Sequence, residues 1–322
     1  MVTALHVVAK AADGPAPTVV TVGHYPAGGA DFASAPDVID VAVIDNGIDP
    51  DFRQDGWLNE VERHNGNGND YNIDQLTVLG DPDLLDFAAG HGTFVAGIVR
   101  QVDPEARVVV YRVLDSDGLG SEADVAAAMV RAADAGAKVI CLSLGMRAVD
   151  DSADKRCPAL EAAVKHIQSL DNPPAIVASA GNDGTEVKVY PAALEGVVGV
   201  AALEAGWEDD PEQTPGAKWS THGDWVTCSA VGEGIVSTFV KGEEDPQFGG
   251  HDVYPEAGQD DSWAVWTGTS FAAPQVAGHI SKACRAGATP KAAVEDLFPT
   301  QGRPGDGYGT RVVLLPGTRP TT

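Results

Sequence analysis

The stretch GTSFAAPQVAG, from Gly268 to Gly278, joins a polar turn to an apolar segment of small residues. Its pattern predicts a helix that begins close to Ser270, with Pro274 in the first turn, where a missing N–H costs little. Unpaired N–H groups and the positive end of the helix dipole would favour an oxyanion developing beside this serine. The same pattern fits a serine that only caps the helix, so a nucleophile and an N-cap both remain open at this point.

Composition predicts one large domain with an acidic surface. The chain has 322 residues, 43% of them hydrophobic, and hydrophobic segments run throughout its length. The 47 acidic and 21 basic residues give a net charge of −26. Such a charge repels phosphates, so neither nucleic acid nor a membrane is expected as a partner. No apolar run approaches the length of a transmembrane helix.

The N-terminus and the cysteines favour a cytoplasmic protein. The first residues lack the basic start and sustained apolar core of a secretory signal. Cys141, Cys157, Cys228 and Cys284 have no metal-ligand spacing, and we expect four free thiols in a reducing compartment. A mature secreted form without its leader is the alternative.

Apolar runs that alternate with helical patterns predict an α/β fold with a mostly parallel central sheet and helices on both faces. The strands are expected in VIDVAVI, RVVVYRVL, AKVICLSLG, PPAIVAS, VVGVAAL and GYGTRVVLL, with a short strand near Pro17–Val22. We divide the chain into an N-terminal extension (1–37), one folded domain (38–315) and a C-terminal tail (316–322).

Four polar residues stand at the ends of these elements. Asp45 follows the first long strand, Asn182 follows the fourth, and His91 and Ser270 each open a helix. A hydroxyl nucleophile needs a base, the base needs an orienting carboxylate, and a tetrahedral oxyanion needs a fixed donor. These four residues fill those roles, although each of them taken alone also fits a structural explanation.

The polar segment between Asp45 and His91 has two interpretations. Its carboxylate and amide oxygens suit a hard cation, and they predict a structural calcium site. A solvated acidic loop explains the same composition equally well. The candidate ligands are Asp51, Asn65, Asn67, Asn69, Asp70 and Asp74.

Four blocks together resemble the subtilisin-like serine proteases, the subtilase family. They are VAVIDNGIDPDF, HGTFVAGIV, ASAGNDG and GTSFAAPQVAG, in the Asp…His…Ser order known for subtilisin itself. The resemblance implies a three-layer fold and a serine endopeptidase that works through an acyl-enzyme and needs no cofactor for the chemistry. Ser270 would attack the peptide carbonyl, His91 would carry the proton, and Asp45 would orient the imidazole. Asn182, with the Ser270 N–H, would bind the oxyanion.

The resemblance also implies a cleft for a protein or peptide substrate in extended form. The substrate backbone would pair with Ser143-Leu144-Gly145, Gly181 would help to form one wall of the primary specificity pocket, and Asp183 would also bind substrate. Val189 stands where the family often has glycine at the pocket floor. Its branched side chain predicts a shortened pocket and a preference for small P1 residues.

Other departures from the family pattern bear on activity. Asn46 replaces the usual Thr or Ser after the aspartate, Phe94 replaces a second histidine, and Phe271 replaces a common Met. None of these changes removes a residue of the proposed triad. The alternative function is a catalytically restrained subtilase fold that binds a partner or peptide; an esterase or peptide ligase would use the same nucleophile.

The extension raises the question of how activity is restrained. The about 40 residues before Asp45 are too few for a separately folded prodomain. We therefore expect either a chain whose prodomain has been removed or an intracellular type with a short extension. The extension, an inhibitory or activating partner, or a restricted substrate would then control activity.

Overall fold

The computed structural model describes residues 4–6, 18–19, 38–63, 72–77, 84–147, 157–206, 211–246, 252–299 and 305–317. The helices are α1 (His91–Val102), α2 (Glu122–Asp134), α3 (Pro158–Gln168), α4 (Thr269–Arg285) and α5 (Pro290–Leu297). The strands are β1 (Ala4–His6), β2 (Thr18–Val19), β3 (Val41–Asp45), β4 (Leu84–Leu85), β5 (Val108–Arg112), β6 (Leu119–Ser121), β7 (Val139–Leu142), β8 (Met146–Arg147), β9 (Ala175–Ser179), β10 (Val189–Tyr190), β11 (Val197–Leu203), β12 (Cys228–Val231), β13 (Ile235–Thr238), β14 (Gly242–Glu244), β15 (Val253–Tyr254), β16 (Trp263–Trp266) and β17 (Thr310–Val312).

Within the described residues, seven strands form one sheet in the order β17-β12-β11-β9-β7-β3-β5. Every neighbouring pair in this sheet is parallel. Parallel strands are covered on both faces, which explains why β3, β7, β9 and β11 are buried along their whole length. The carboxyl ends of the strands therefore meet at one edge of the sheet.

The two faces of the sheet carry separate hydrophobic cores. In β3, Val41 and Val43 belong to the core that contains residues of α1 and α4. Ala42 and Ile44 point to the opposite face and join residues of α2 and α3. This alternation follows from the two-residue period of a strand. The predicted three-layer α/β fold is confirmed.

Helix α4 begins earlier, relative to its proline, than the sequence predicted. The chain is extended at Gly268 and helical from Thr269, so Pro274 lies in the second turn rather than the first. Proline has no N–H to donate to the carbonyl four residues earlier, which belongs to Ser270. Residues Thr269 to Gly278 are nevertheless buried throughout.

The short strand near Pro17–Val22 is β2, which pairs antiparallel with β16. All four cysteines lie within the described ranges and none forms a disulfide; Cys141, Cys157 and Cys228 are buried and Cys284 is half-buried. No helix in the described part of the chain is both long and apolar enough to cross a bilayer.

Side-chain hydroxyls of β13 hold α1 in place by donating hydrogen bonds to backbone carbonyls of the helix. Ser237 Oγ donates to the Phe94 carbonyl at 2.7 Å, and Thr238 Oγ1 donates to the Thr93 carbonyl at 2.9 Å. Gly97 lies over both hydroxyls, because a β-carbon there would come within 2.3 Å of Thr238 Oγ1 and 2.4 Å of Ser237 Oγ. The close approach of helix and strand requires glycine at this position.

Gly97→Ala should therefore lower the free energy of unfolding. Overpacking costs about 1–3 kcal/mol, and each lost hydrogen bond about 1 kcal/mol, which together outweigh the about 1 kcal/mol that alanine gains in helix propensity. Urea unfolding of the variant measures the change. Gly305→Ala is the control, since a β-carbon there meets nothing within 4 Å. Equal stability losses for the two variants would contradict the proposed close contact.

Candidate active site

A carboxylate and an imidazole meet inside the protein at the edge where the strands end. Asp45 is the last residue of β3, and His91 is the first residue of α1. Asp45 Oδ1 lies 2.8 Å from His91 Nδ1, and neither side chain is exposed to solvent. The carboxylate places the ring proton on Nδ1, which leaves the lone pair on Nε2. Nε2 has no hydrogen-bond partner among the described residues.

Aromatic side chains enclose the His91 ring. The ring centroid lies 5.6 Å from Trp266 in an edge-to-face arrangement and 5.5 Å from the tilted ring of Phe271. Phe94 packs on both of these aromatics, at 5.7 Å from Trp266 and 4.7 Å from Phe271. The role of Trp266 was not predicted, because WAVW indicates only an apolar strand. These contacts also bring the start of α4 next to the imidazole.

Asn46 ties the segment after β3 to the start of α1. Its Oδ1 accepts the Gly92 N–H at 2.8 Å, and its Nδ2 donates to the Ala88 carbonyl at 2.5 Å. Gly92 permits this contact, because a β-carbon there would lie 2.2 Å from the Gly47 carbonyl oxygen. Asn46 thus supplies a cap to the helix from outside it. The sequence identified this residue only as a replacement for Thr or Ser.

Ser270 and Ser143 exchange two hydrogen bonds. Ser143 Oγ donates to the Ser270 carbonyl at 2.8 Å, and Ser270 Oγ donates to the Ser143 carbonyl at 3.2 Å. The first bond goes to the carbonyl that Pro274 cannot reach with an N–H. Ser143 thereby stabilises the turn of α4 that contains the proline. The expected strand over Ser143-Leu144-Gly145 instead ends at Leu142, which leaves Ser143 to contact α4.

Asn182 lies beyond the end of β9 and contacts the first residue of α4. Its Oδ1 accepts both the backbone N–H and the hydroxyl of Thr269, each at 2.9 Å. These two bonds fix which end of the amide carries the donors. The donor nitrogen lies beside Gly268, since a β-carbon on that glycine would be 3.5 Å from it.

Three of the residues expected to bind substrate lie together, and two others have different surroundings. Gly145, Gly181 and Val189 lie together, because β-carbons on the two glycines would come within 2.6 Å and 3.0 Å of the Val189 methyl groups. Leu144 is fully buried in the core that contains α2 and α3. Asp183 is exposed and lies 3.7 Å from Arg147 Nη1, so it forms a surface ion pair.

The sequence of this chain is similar to sequences of known proteins. A model of the subtilase family matches residues 37–297. The chain belongs to the subtilase family. A relative called thermophilic serine proteinase, from Bacillus sp. (strain AK1), is 32% identical over 252 residues, which are 74% of this chain and 50% of that protein. Thermitase from Thermoactinomyces vulgaris is 34% identical over 199 residues, 59% of each chain.

Solved structures support the same fold. A lanthipeptide protease superposes with a TM-score of 0.61 at 24% identity, covering 85% of each chain. Fervidolysin from Fervidobacterium pennivorans, described as a keratinolytic enzyme related to subtilisin, gives a TM-score of 0.59 at 27% identity and covers 85% of this chain and 41% of its own. This subtilase thus spans only 50% and 59% of the lengths of the two sequence relatives named above.

The calcium site of this subtilase remains a prediction. Asn65, Asn67, Asn69 and Asp70 lie outside the described residues. Asp74 is described, and its two oxygens accept the N–H groups of Leu76 and Gly90. Burial raises the pKa of Asp74 to about 7, and the carboxylates of Asp45 and Asp49 act in the same direction. Among the described residues, Asp51 and Asp74 belong to no cluster of three or more His, Cys, Asp or Glu residues that would hold a metal.

Ser143→Ala should destabilise the start of α4. The variant loses the donor to the Ser270 carbonyl, and the loss of one buried hydrogen bond costs about 1–2 kcal/mol. Ser179→Ala is the matched control, because the buried Ser179 hydroxyl has no partner among the described residues. Chemical unfolding should separate the two variants by this amount. Identical midpoints would show that the Ser143 hydroxyl does not stabilise the helix.

Proposed function

We propose that this subtilase is a serine endopeptidase with Asp45, His91 and Ser270 as its triad. The observation that carries the proposal is the buried 2.8 Å contact between Asp45 and His91, beside the helix whose first turn contains Ser270. A buried carboxylate that fixes the imidazole tautomer is what a hydroxyl nucleophile needs from its base. The sequence relative named a thermophilic serine proteinase supports the same activity.

In each step of the reaction, His91 accepts a proton and then donates it to the departing group. Ser270 Oγ attacks the peptide carbonyl while its proton passes to His91 Nε2, and Asp45 stabilises the resulting imidazolium. The imidazolium then protonates the leaving amine, and water repeats the sequence to hydrolyse the acyl-enzyme. The Ser270 hydroxyl must first leave the Ser143 carbonyl, which a rotation about its Cα–Cβ bond achieves. Catalytic hydrogen bonds are often loose before substrate binds.

Asn182 is suited to stabilise the oxyanion. The backbone N–H and the hydroxyl of Thr269 both donate to the amide oxygen of Asn182. These two hydrogen bonds hold the amide in one orientation, with its NH2 group pointing away from Thr269. A fixed donor costs no reorganisation when negative charge develops on the substrate oxygen. The Ser270 N–H, in the first turn of α4, is the second donor of the proposed oxyanion site.

The second candidate function is a catalytically restrained fold that binds a partner or peptide. Ser270 and His91 are both 0% exposed, so a substrate cannot reach them without a rearrangement. Backbone pairing also places part of the N-terminal extension on the domain: β1 pairs with β6, and β2 pairs with β16, which ends at Trp266. These observations favour restraint of the site rather than loss of its chemistry.

A fluorescent fluorophosphonate separates the two functions. Wild-type protein should be labelled and should cleave peptides, whereas folded Ser270→Ala should do neither, with or without added calcium. Asn182→Ala should lower kcat by about 10²–10³-fold, the magnitude known for the oxyanion asparagine of subtilisin itself. Folded wild-type protein that takes no label would favour the restrained module. Equal labelling of Ser270→Ala would rule out Ser270 as the nucleophile.

The pocket should select small P1 residues. The Val189 methyl groups fill the space between Gly181, the expected pocket wall, and Gly145, which is expected to pair with the substrate backbone. Val189→Gly should raise kcat/KM for a phenylalanine P1 substrate at least about tenfold relative to alanine, the scale of discrimination by hydrophobic pockets. Val253→Gly, an exposed change of the same chemistry, is the control. A wild-type preference for large aromatic P1 residues would overturn this assignment.

A further inference from the structure

Asp74 is a buried carboxylate that the proposed reaction does not use. It is 2% exposed and has no ion-pair partner in the part of the chain that the structure describes. Its Oδ2 accepts the Gly90 N–H at 2.7 Å, and its Oδ1 accepts the Leu76 N–H at 3.2 Å. Burial of a charge without a countercharge is costly unless hydrogen bonds satisfy it. The Gly90 and Leu76 N–H groups therefore supply the hydrogen bonds that this buried carboxylate needs.

The backbone of Asp74 is attached to the segment that leaves Asp45. The Ile48 N–H donates to the Asn72 carbonyl and the Asp74 N–H donates to the Ile48 carbonyl, both at 2.8 Å. The two segments are so close that a β-carbon on Gly47 would lie 2.5 Å from the Asp74 nitrogen. Movement of Asp74 relative to the end of β3 would break these contacts.

The side chain of Asp74 reaches the other half of the site. Gly90 is the N-cap of α1 and directly precedes His91, and no side chain of the helix itself caps this end. Gly90 has φ +80°, a conformation that glycine adopts readily. The Asp74 carboxylate bonds this N-cap N–H and places negative charge at the positive end of the helix dipole. One residue thus joins the segment after Asp45 to the start of the His91 helix.

We propose that Asp74 is a positioning residue for the reaction, holding the start of α1 so that the His91 ring stays in line with Asp45 and Ser270. This role rests on the proposed function. Asp74 acts through the Gly90 N–H and touches neither substrate nor a reacting atom. The bond lies one residue from His91, so its loss shifts the imidazole without altering the substrate cleft. The structure thereby explains why a carboxylate occupies a position where an apolar side chain would avoid the cost of burying a charge.

The test compares Asp74→Ala and Asp74→Asn by kcat and KM on a peptide that the wild type cleaves. Asp74→Ala should lower kcat by about 10²-fold with KM nearly unchanged, since a displacement of about 1 Å at a catalytic group has that effect. Asp74→Asn should restore most of kcat, because its amide oxygen can still accept the Gly90 N–H. If Asp74→Ala does not fold, Asp74→Ser, whose oxygen is one bond too short, replaces it.

Asp49→Ala is the matched control. Asp49 is also a buried carboxylate near the end of β3, 4% exposed, but it accepts the Asp51 N–H and makes no side-chain bond to the start of α1. Its kcat should stay near the wild-type value. Equal kcat losses in the Asp49 and Asp74 variants, a loss expressed in KM, or no rescue by asparagine would each overturn the positioning role. If wild-type protein neither cleaves peptides nor takes the fluorophosphonate, the proposed function itself fails, and the result is distinct from these.

Discussion

The buried hydrogen bond between Asp45 and His91 imposes the main constraint on this structure. Both groups are withdrawn from water, and a buried carboxylate is tolerated only while its partner stays within hydrogen-bond distance. The partners belong to different elements, a strand end and a helix start. Asn46 and Asp74 help to keep the two elements together, because the side chain of each accepts a backbone N–H at the beginning of α1. Gly92 allows the approach by leaving room for the Gly47 carbonyl.

Helix α4 imposes the second constraint, since it must carry Ser270 into the same buried region. Small residues let the helix pack closely, and a β-carbon built on Gly278 would already lie 3.0 Å from Val102 of α1. The helix also contains a proline, Pro274, in its second turn. Ser143 compensates by donating to the Ser270 carbonyl that Pro274 leaves without its helical donor. A residue expected to bind substrate therefore also supports the helix that carries Ser270.

The departures from the family pattern around His91 have one common explanation. Phe94 and Phe271 are far apart in the chain, yet their rings pack at 4.7 Å and both contact Trp266. Aromatic pairs of this kind contribute about 0.5–1.5 kcal/mol beyond the area they bury. Together they hold the imidazole in an apolar environment, where electrostatic interactions with Asp45 are stronger than in water. The substitutions form a single packed unit.

The α/β fold, the parallel sheet and the element ends that carry Asp45, His91 and Ser270 were all predictable from local pattern. Continuous apolar runs indicate strands that are buried on both faces of a sheet. Turn and capping residues mark where helices and strands begin and end. The contacts of Asp74, Trp266 and Ser143, and the helical turn that contains Pro274, were not predictable. Each depends on a partner distant in sequence, such as Asp74 on Gly90 or Ser143 on Ser270. Residue type and spacing along the chain identify which groups can react, whereas the hydrogen bonds that hold those groups in place form only when separate elements pack together.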